Sequence, residues 1–214
     1  MIKNILVVYY TQSGQLKSIL DSILLPIEKT GKVKVEYEQI KPVSEYPFPW
    51  GGKFFDCFPE SVKGIPCKLE SFSFAKEKNY DLIIIAYQPW YMSPSIPVWS
   101  FLESEEAARL LQEKNVISII GARNMWISSY EIVAKKLSEL KAKLAGNIVL
   151  TDKSCNYISA INIVRWLIKG EKKVFNQGIH TYSFDGENYT SGIYFYRIST
   201  SSGFQQTRKM LLQK

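Results

Sequence analysis

The chain is short of histidine and cysteine and has no long apolar run, and each shortage removes a class of function. A single histidine, His180, and three cysteines, Cys57, Cys67 and Cys155, are too few and too scattered for a zinc site or a disulfide framework. Reduced thiols in a cytoplasmic protein are the simpler reading. No apolar stretch approaches the roughly 20 residues that a membrane span needs, so no span is expected. The apolar run that opens the chain is too short for a secretory leader and is followed by no small-residue cleavage site. Lys and Arg (27) outnumber Asp and Glu (20), but they are interleaved with acids instead of gathered into a patch, which argues against a nucleic-acid partner. A small anionic ligand fits that surplus equally well.

What is present is the rhythm of an α/β domain. With 214 residues the chain holds one such domain and a small appendage. The runs 5–10, 82–87, 116–120 and 147–150 are rich in Val and Ile without polar alternation, the mark of strands buried on both faces. A fifth run, 33–40, alternates Val33, Val35 and Tyr37 with Lys34, Glu36 and Glu38, which suits an edge strand with a wetter face. Helical spacing fills the intervals at 15–28, 98–112 and 128–144, and again at 157–169, where Ile158, Ile161, Val164, Trp166 and Leu167 supply an apolar face ending at Gly170. Alternating strands and helices predict right-handed crossovers and a doubly wound, five-stranded parallel sheet in the order 2-1-3-4-5.

Past residue 172 the composition changes, giving expected domains of 1–172 and 173–214. Thr181-Tyr182-Ser183-Phe184, Gly192-Ile193-Tyr194-Phe195-Tyr196-Arg197 and the run 204–212 read as strands, with turns at Asp185-Gly186 and Ser201-Ser202-Gly203. A small antiparallel meander is expected there.

Three strand ends carry residues suited to chemistry. After the first strand, Thr11-Gln12-Ser13-Gly14-Gln15-Leu16 offers hydroxyls and a glycine before a helix, an arrangement that can hold a phosphate or form an ordinary capped turn. After the third, Pro89-Trp90-Tyr91-Met92-Ser93 sets two large rings where such sheets open their crevice; the rings either meet an aromatic cofactor or close the top of the core. After the fourth, Gly121, Arg123 and Asn124 give a cation and an amide that touch a ligand or belong to a solvated turn.

At these residues the chain resembles known proteins. Thr11-Gln12-Ser13-Gly14 is similar to the flavodoxin phosphate loop, with Leu16 where that loop usually has a closing threonine, and Pro89, Tyr91, Ser93 and Pro97 resemble the second loop of flavin reductases. Across the stretches 10–16, 46–50, 54–66, 87–101 and 121–126 the chain more closely resembles the flavodoxin-fold family named dialkylresorcinol condensing enzymes, encoded with aryl-polyene or resorcinol-lipid pathways. That resemblance covers residues 1 to about 170. The segment 178–214, with Tyr189-Thr190-Ser191-Gly192 and Thr207-Arg208-Lys209-Met210, resembles part of the type A sorting domain of type IX secretion substrates; about three of its roughly seven strands are represented, so a fusion or truncation with a non-functional tail is expected.

The family name implies carbon–carbon bond formation, but no cysteine sits in a strand-to-helix elbow beside a histidine, as a thiolase-like enzyme requires. The resemblance therefore implies an FMN-dependent oxidoreductase that aromatises a cyclic diketone made by a separate ketosynthase, with NAD(P)H as electron donor or acceptor. Thr11, Gln12, Ser13, Gly14, Gln15 and Leu16 would hold the phosphate, and Pro89, Trp90, Tyr91, Ser93 and Gly121 the ring. Arg123 and Asn124 would be the catalytic pair, while the aromatic insertion 46–74 would cap the pocket and receive an aromatic or acyl substrate. The Leu16 departure favours a second reading, a flavin-free scaffold or partner in that pathway. A third is a type IX secreted or surface protein, and a homodimer is compatible with all three.

Overall fold

The computed structural model describes residues 2–74, 78–123, 125–151, 156–170, 192–199 and 205–212. The chain divides into two compact units, Met1–Ile179 and His180–Lys214. In the first, β1 (Lys3–Tyr9), α1 (Gln15–Glu28) and β2 (Val33–Gln39) are followed by an insertion holding a 3-10 turn (Gly51–Phe54) and α2 (Phe58–Lys63). Then come β3 (Leu82–Tyr87), a two-stranded ribbon of β4 (Pro89–Trp90) and β5 (Ser93–Pro94), α3 (Ile96–Leu102), α4 (Glu105–Leu111), β6 (Asn115–Ala122), α5 (Ile127–Glu139), β7 (Lys143–Thr151) and α6 (Asn156–Lys169).

The main sheet has the order β2-β1-β3-β6-β7, and all of its pairings are parallel. Counting only these five strands, this is 2-1-3-4-5; the ribbon β4–β5 is an addition within the third connection. β2 lies at an edge, as its alternation implies. Along β1 and the residue after it, successive side chains feed opposite cores: Ile5, Val7 and Tyr9 join Leu16, Leu20 and Leu24 of α1, whereas Leu6, Val8 and Tyr10 join Phe101, Leu111, Val133 and Leu137 on the other face.

Three expectations need correction. The single helix 98–112 is two, because Ser104 takes an extended conformation and its side chain accepts the Ala107 N–H at 3.2 Å, capping α4 above Glu105 and Glu106. The helix 128–144 stops at Glu139; Lys141 turns with φ 57°, and Leu144 lies in β7. Along α6, Trp166 is buried and Leu167 half-buried, but Ile161, Val164 and Ile168 are exposed. The Ile158 side chain lies outside the described residues.

In the second unit, β8 (Gly192–Ser199) and β9 (Gln205–Leu212) pair antiparallel from Gly192 opposite Leu212 to Ser199 opposite Gln205. The expected boundary near residue 172, the strand 181–184 and both turns lie outside the described residues. Among the described residues no helix is long and apolar enough to cross a membrane.

Candidate functional site

The strand ends of β1, β3 and β6 open on the same edge of the sheet, because the three strands are adjacent and parallel. The first loop turns sharply at Gly14, whose φ of 83° is left-handed backbone that a side chain would strain. Gly14 is the N-cap of α1, and no side chain caps that helix. The Gln15 N–H reaches the Ser13 hydroxyl oxygen only weakly, at 3.5 Å, so the helix start keeps the partial positive charge that attracts anions.

The hydroxyls around this turn are held in place. Thr11 Oγ1 accepts the Gly14 N–H at 3.1 Å. Ser13, buried, donates through Oγ to Gln15 Oε1 at 2.9 Å, and the indole N–H of Trp166 donates to the same oxygen at 2.7 Å. Gln12 Nε2 donates to the Pro47 carbonyl at 2.6 Å, while Gln12 Oε1 is buried with no partner among the described residues. Leu16 is buried in the core on the α1 side, and a Cβ on Gly121 would stand 3.6 Å from its Cδ1. Leu16 thus fills the space between the first and fourth strand ends.

The second loop has a different character. Trp90 is only 4% exposed and sits among Tyr10, Tyr46 and Trp50, with ring centroids 5.8, 4.9 and 4.6 Å away. The insertion 46–74 supplies two of those three rings and covers the loop. It is tied down where Ser61 Oγ donates to the Trp90 carbonyl at 3.1 Å, Trp99 Nε1 to the Gly64 carbonyl at 2.8 Å and the Cys67 N–H to Ser100 Oγ at 2.8 Å. Tyr91 and Met92 both adopt left-handed backbone, with φ 48° and 68°. Tyr91 is half-buried against Phe58 at 4.6 Å, and Met92 is 52% exposed. Pro89 and Ser93 are half-buried and pair with Pro94 and Trp90 across the ribbon.

Burial dominates the electrostatics. It raises the hydroxyl pKa of Tyr10, Tyr46 and Tyr91, keeping all three neutral, and pushes the Cys57 thiol up to about 11. Cys57 is thus a packing group. At the fourth strand end Gly121 and Arg123 are half-buried and Met125 is 69% exposed; Asn124 lies outside the described residues.

Sequence reasoning missed two residues. Glu38, read as part of a wet strand face, is 5% exposed and accepts the Ser73 N–H through both oxygens at 3.1 Å and the Ser73 hydroxyl at 2.5 Å, pinning the far end of the insertion. Trp166, read as core, reaches the first loop. Two cavities near the insertion measure about 130 Å³, lined by Glu60, Gly64 and Trp99 among others, and about 220 Å³, lined by Tyr46, Cys67 and Lys68 among others. Both fall below the roughly 300 Å³ at which pockets begin to hold whole organic ligands.

No family model matches the chain, and no curated protein matches it. Solved structures do resemble it. A flavoprotein of Lactobacillus acidophilus in complex with FMN is 21% identical, with a TM-score of 0.52, over 69% of this chain and 93% of that one. Candidate flavoproteins of Bacteroides uniformis (13% identical, TM-score 0.52, 76% and 99% covered) and Bacteroides eggerthii (17%, 0.50, 75% and 96%) are similar. The chain has the flavodoxin-like fold.

Proposed function

We propose that this flavodoxin-like domain binds FMN at its first strand end and works as a flavin-dependent oxidoreductase. The observation that carries the reading is the turn at Gly14: a helix start without a side-chain cap, beside the buried Ser13 hydroxyl, which can donate. Those groups suit a phosphate. The L. acidophilus neighbour in complex with FMN supports the choice of ligand.

In this reading Thr11, Ser13, Gly14 and Gln15 hold the phosphate, with Gln12 and Leu16 shaping the turn. Tyr91 and the exposed Met92 and Met125 meet the ring, flanked by Pro89, Ser93 and Gly121, while Trp90 supports Tyr91 from within the core. Bound there, FMN would supply two-electron chemistry, taking two hydrogens from the substrate, and NAD(P)+ would accept them in turn to give NAD(P)H. Arg123 and Asn124 orient the substrate and hold its oxyanion. The substrate is a cyclic diketone delivered by a ketosynthase; loss of two hydrogens converts its ring to a resorcinol. An absorption spectrum taken after adding FMN tests the reading, since bound flavin shifts and sharpens its visible bands and an unchanged spectrum counts against it.

A second reading is a flavin-free scaffold in the same pathway. It is favoured by the burial of Trp90 beneath Tyr46 and Trp50, and by the exposure of Phe55 and Phe58 on the insertion, which offers rings to a partner. Colourless protein that ignores FMN but co-purifies with the ketosynthase supports it. The secreted reading of the tail rests on sequence resemblance alone.

A further inference from the structure

We infer that Trp166 is a phosphate donor, and that the side-chain oxygen of Gln15 marks where a phosphate oxygen sits. The inference deepens the FMN reading above and rests on it. Two donors from opposite ends of the domain, Ser13 Oγ at 2.9 Å and Trp166 Nε1 at 2.7 Å, converge on the single oxygen Gln15 Oε1. An indole N–H can only donate. Trp166 is 7% exposed, so its N–H has to find an acceptor at this spot. A phosphate oxygen is the same kind of acceptor with added negative charge, which shortens and strengthens both bonds.

The indole is held in place for this. Its ring packs on Phe48 with centroids 5.0 Å apart, and Phe48 adjoins Pro47, whose carbonyl takes the Gln12 amide. A Cβ on Gly170, just past α6, would stand 3.3 Å from Phe48 Cε1, so the helix end closes tightly on the same ring. Trp166 is thereby aimed at the first loop by the insertion. When a phosphomonoester arrives, the Gln15 side chain swings out and the ligand takes over its two donors. The site then selects FMN over riboflavin, which lacks the phosphate.

The test is an equilibrium titration with FMN, riboflavin and inorganic phosphate on the full chain and on two variants. Trp166→Phe keeps the ring on Phe48 and removes the N–H; it weakens FMN about 10-fold or more, the range for a hydrogen bond to a charged group, and leaves riboflavin unchanged. Gln15→Glu puts a competing anion at the marked position. It weakens FMN, leaves riboflavin unchanged and raises the melting temperature, because a carboxylate satisfies both donors and the start of α1. If Trp166→Phe fails to fold, Gln15→Glu decides. FMN affinity equal to that of the unmodified chain, or an equal loss for FMN and riboflavin, overturns the inference. If the unmodified chain binds neither flavin, the FMN reading fails; inorganic phosphate then judges the inference, which stands if phosphate raises the melting temperature of the unmodified chain and not of Trp166→Phe, and falls otherwise.

Discussion

The first and second strand-end loops start from similar positions on one sheet edge and end in opposite conditions. The first keeps its polar groups joined to each other and to Trp166 by hydrogen bonds, which in the proposed reading a ligand exchanges. The second is covered by the insertion, and its largest ring, Trp90, has become core. Adding a segment rich in aromatics beside a strand end therefore does more than cap a pocket. It extends the hydrophobic core on that face outward past the sheet, and in the proposed reading leaves ring contact with a ligand to Tyr91 and the residues outside it.

The comparison breaks most visibly at Trp50. Trp50→Ala removes a buried ring packed at a tilt against Trp90 and costs about 3–5 kcal/mol by denaturant unfolding; a loss below about 1 kcal/mol would mean the insertion is a loose cover. Ser13→Ala makes the opposite case. It lowers FMN affinity roughly 10- to 150-fold, about 1.5–3 kcal/mol, with little change in melting temperature, whereas a purely capping serine would lower stability and leave FMN titration alone. Glu38→Ala strands the Ser73 N–H and hydroxyl and costs about 1–3 kcal/mol, with faster proteolysis inside 46–74 as the specific sign. Gly14→Ala has open space for its methyl but left-handed backbone, so the cost is about 1 kcal/mol, read by melting.

A further effect is one of pH. The Cys57 thiol ionises near 8.5 when unfolded and at about 11 when folded, so the unfolded chain sheds its proton first and stability falls as pH rises between those values. Tyr10, Tyr46 and Tyr87, also raised by burial, extend that decline. Urea midpoints at pH 7 and pH 10 check the direction, and the Cys57→Ala variant should show a flatter profile.

The sheet was legible because β1 and β3 carry unbroken aliphatic runs, and β6 one interrupted by Ser118 alone, that leave little choice of face. The break between α3 and α4 was not read, although Ser104-Glu105-Glu106 is a start signal, because the apolar spacing of Val98 to Leu111 masks it. Trp166 was not. Its partner Gln15 lies 151 residues away, and helical periodicity marks an apolar face without saying which side chain carries a polar tip to a loop. Glu38 misled for a related reason: alternation in an edge strand predicts exposure only if nothing else arrives, and the insertion brings Ser73 to it. The rings at 46–50 announced burial against something; only the fold shows that they bury Trp90.

The central claim, that the first loop is a phosphate site and the second a covered core, meets its most direct test in a calorimetric titration of FMN into the full chain. The account predicts saturable one-to-one binding with a melting temperature that rises with FMN concentration, by about 2.7 kcal/mol of added stability at a hundred times Kd, and weaker binding of riboflavin. No heat and no melting shift at millimolar FMN would contradict it.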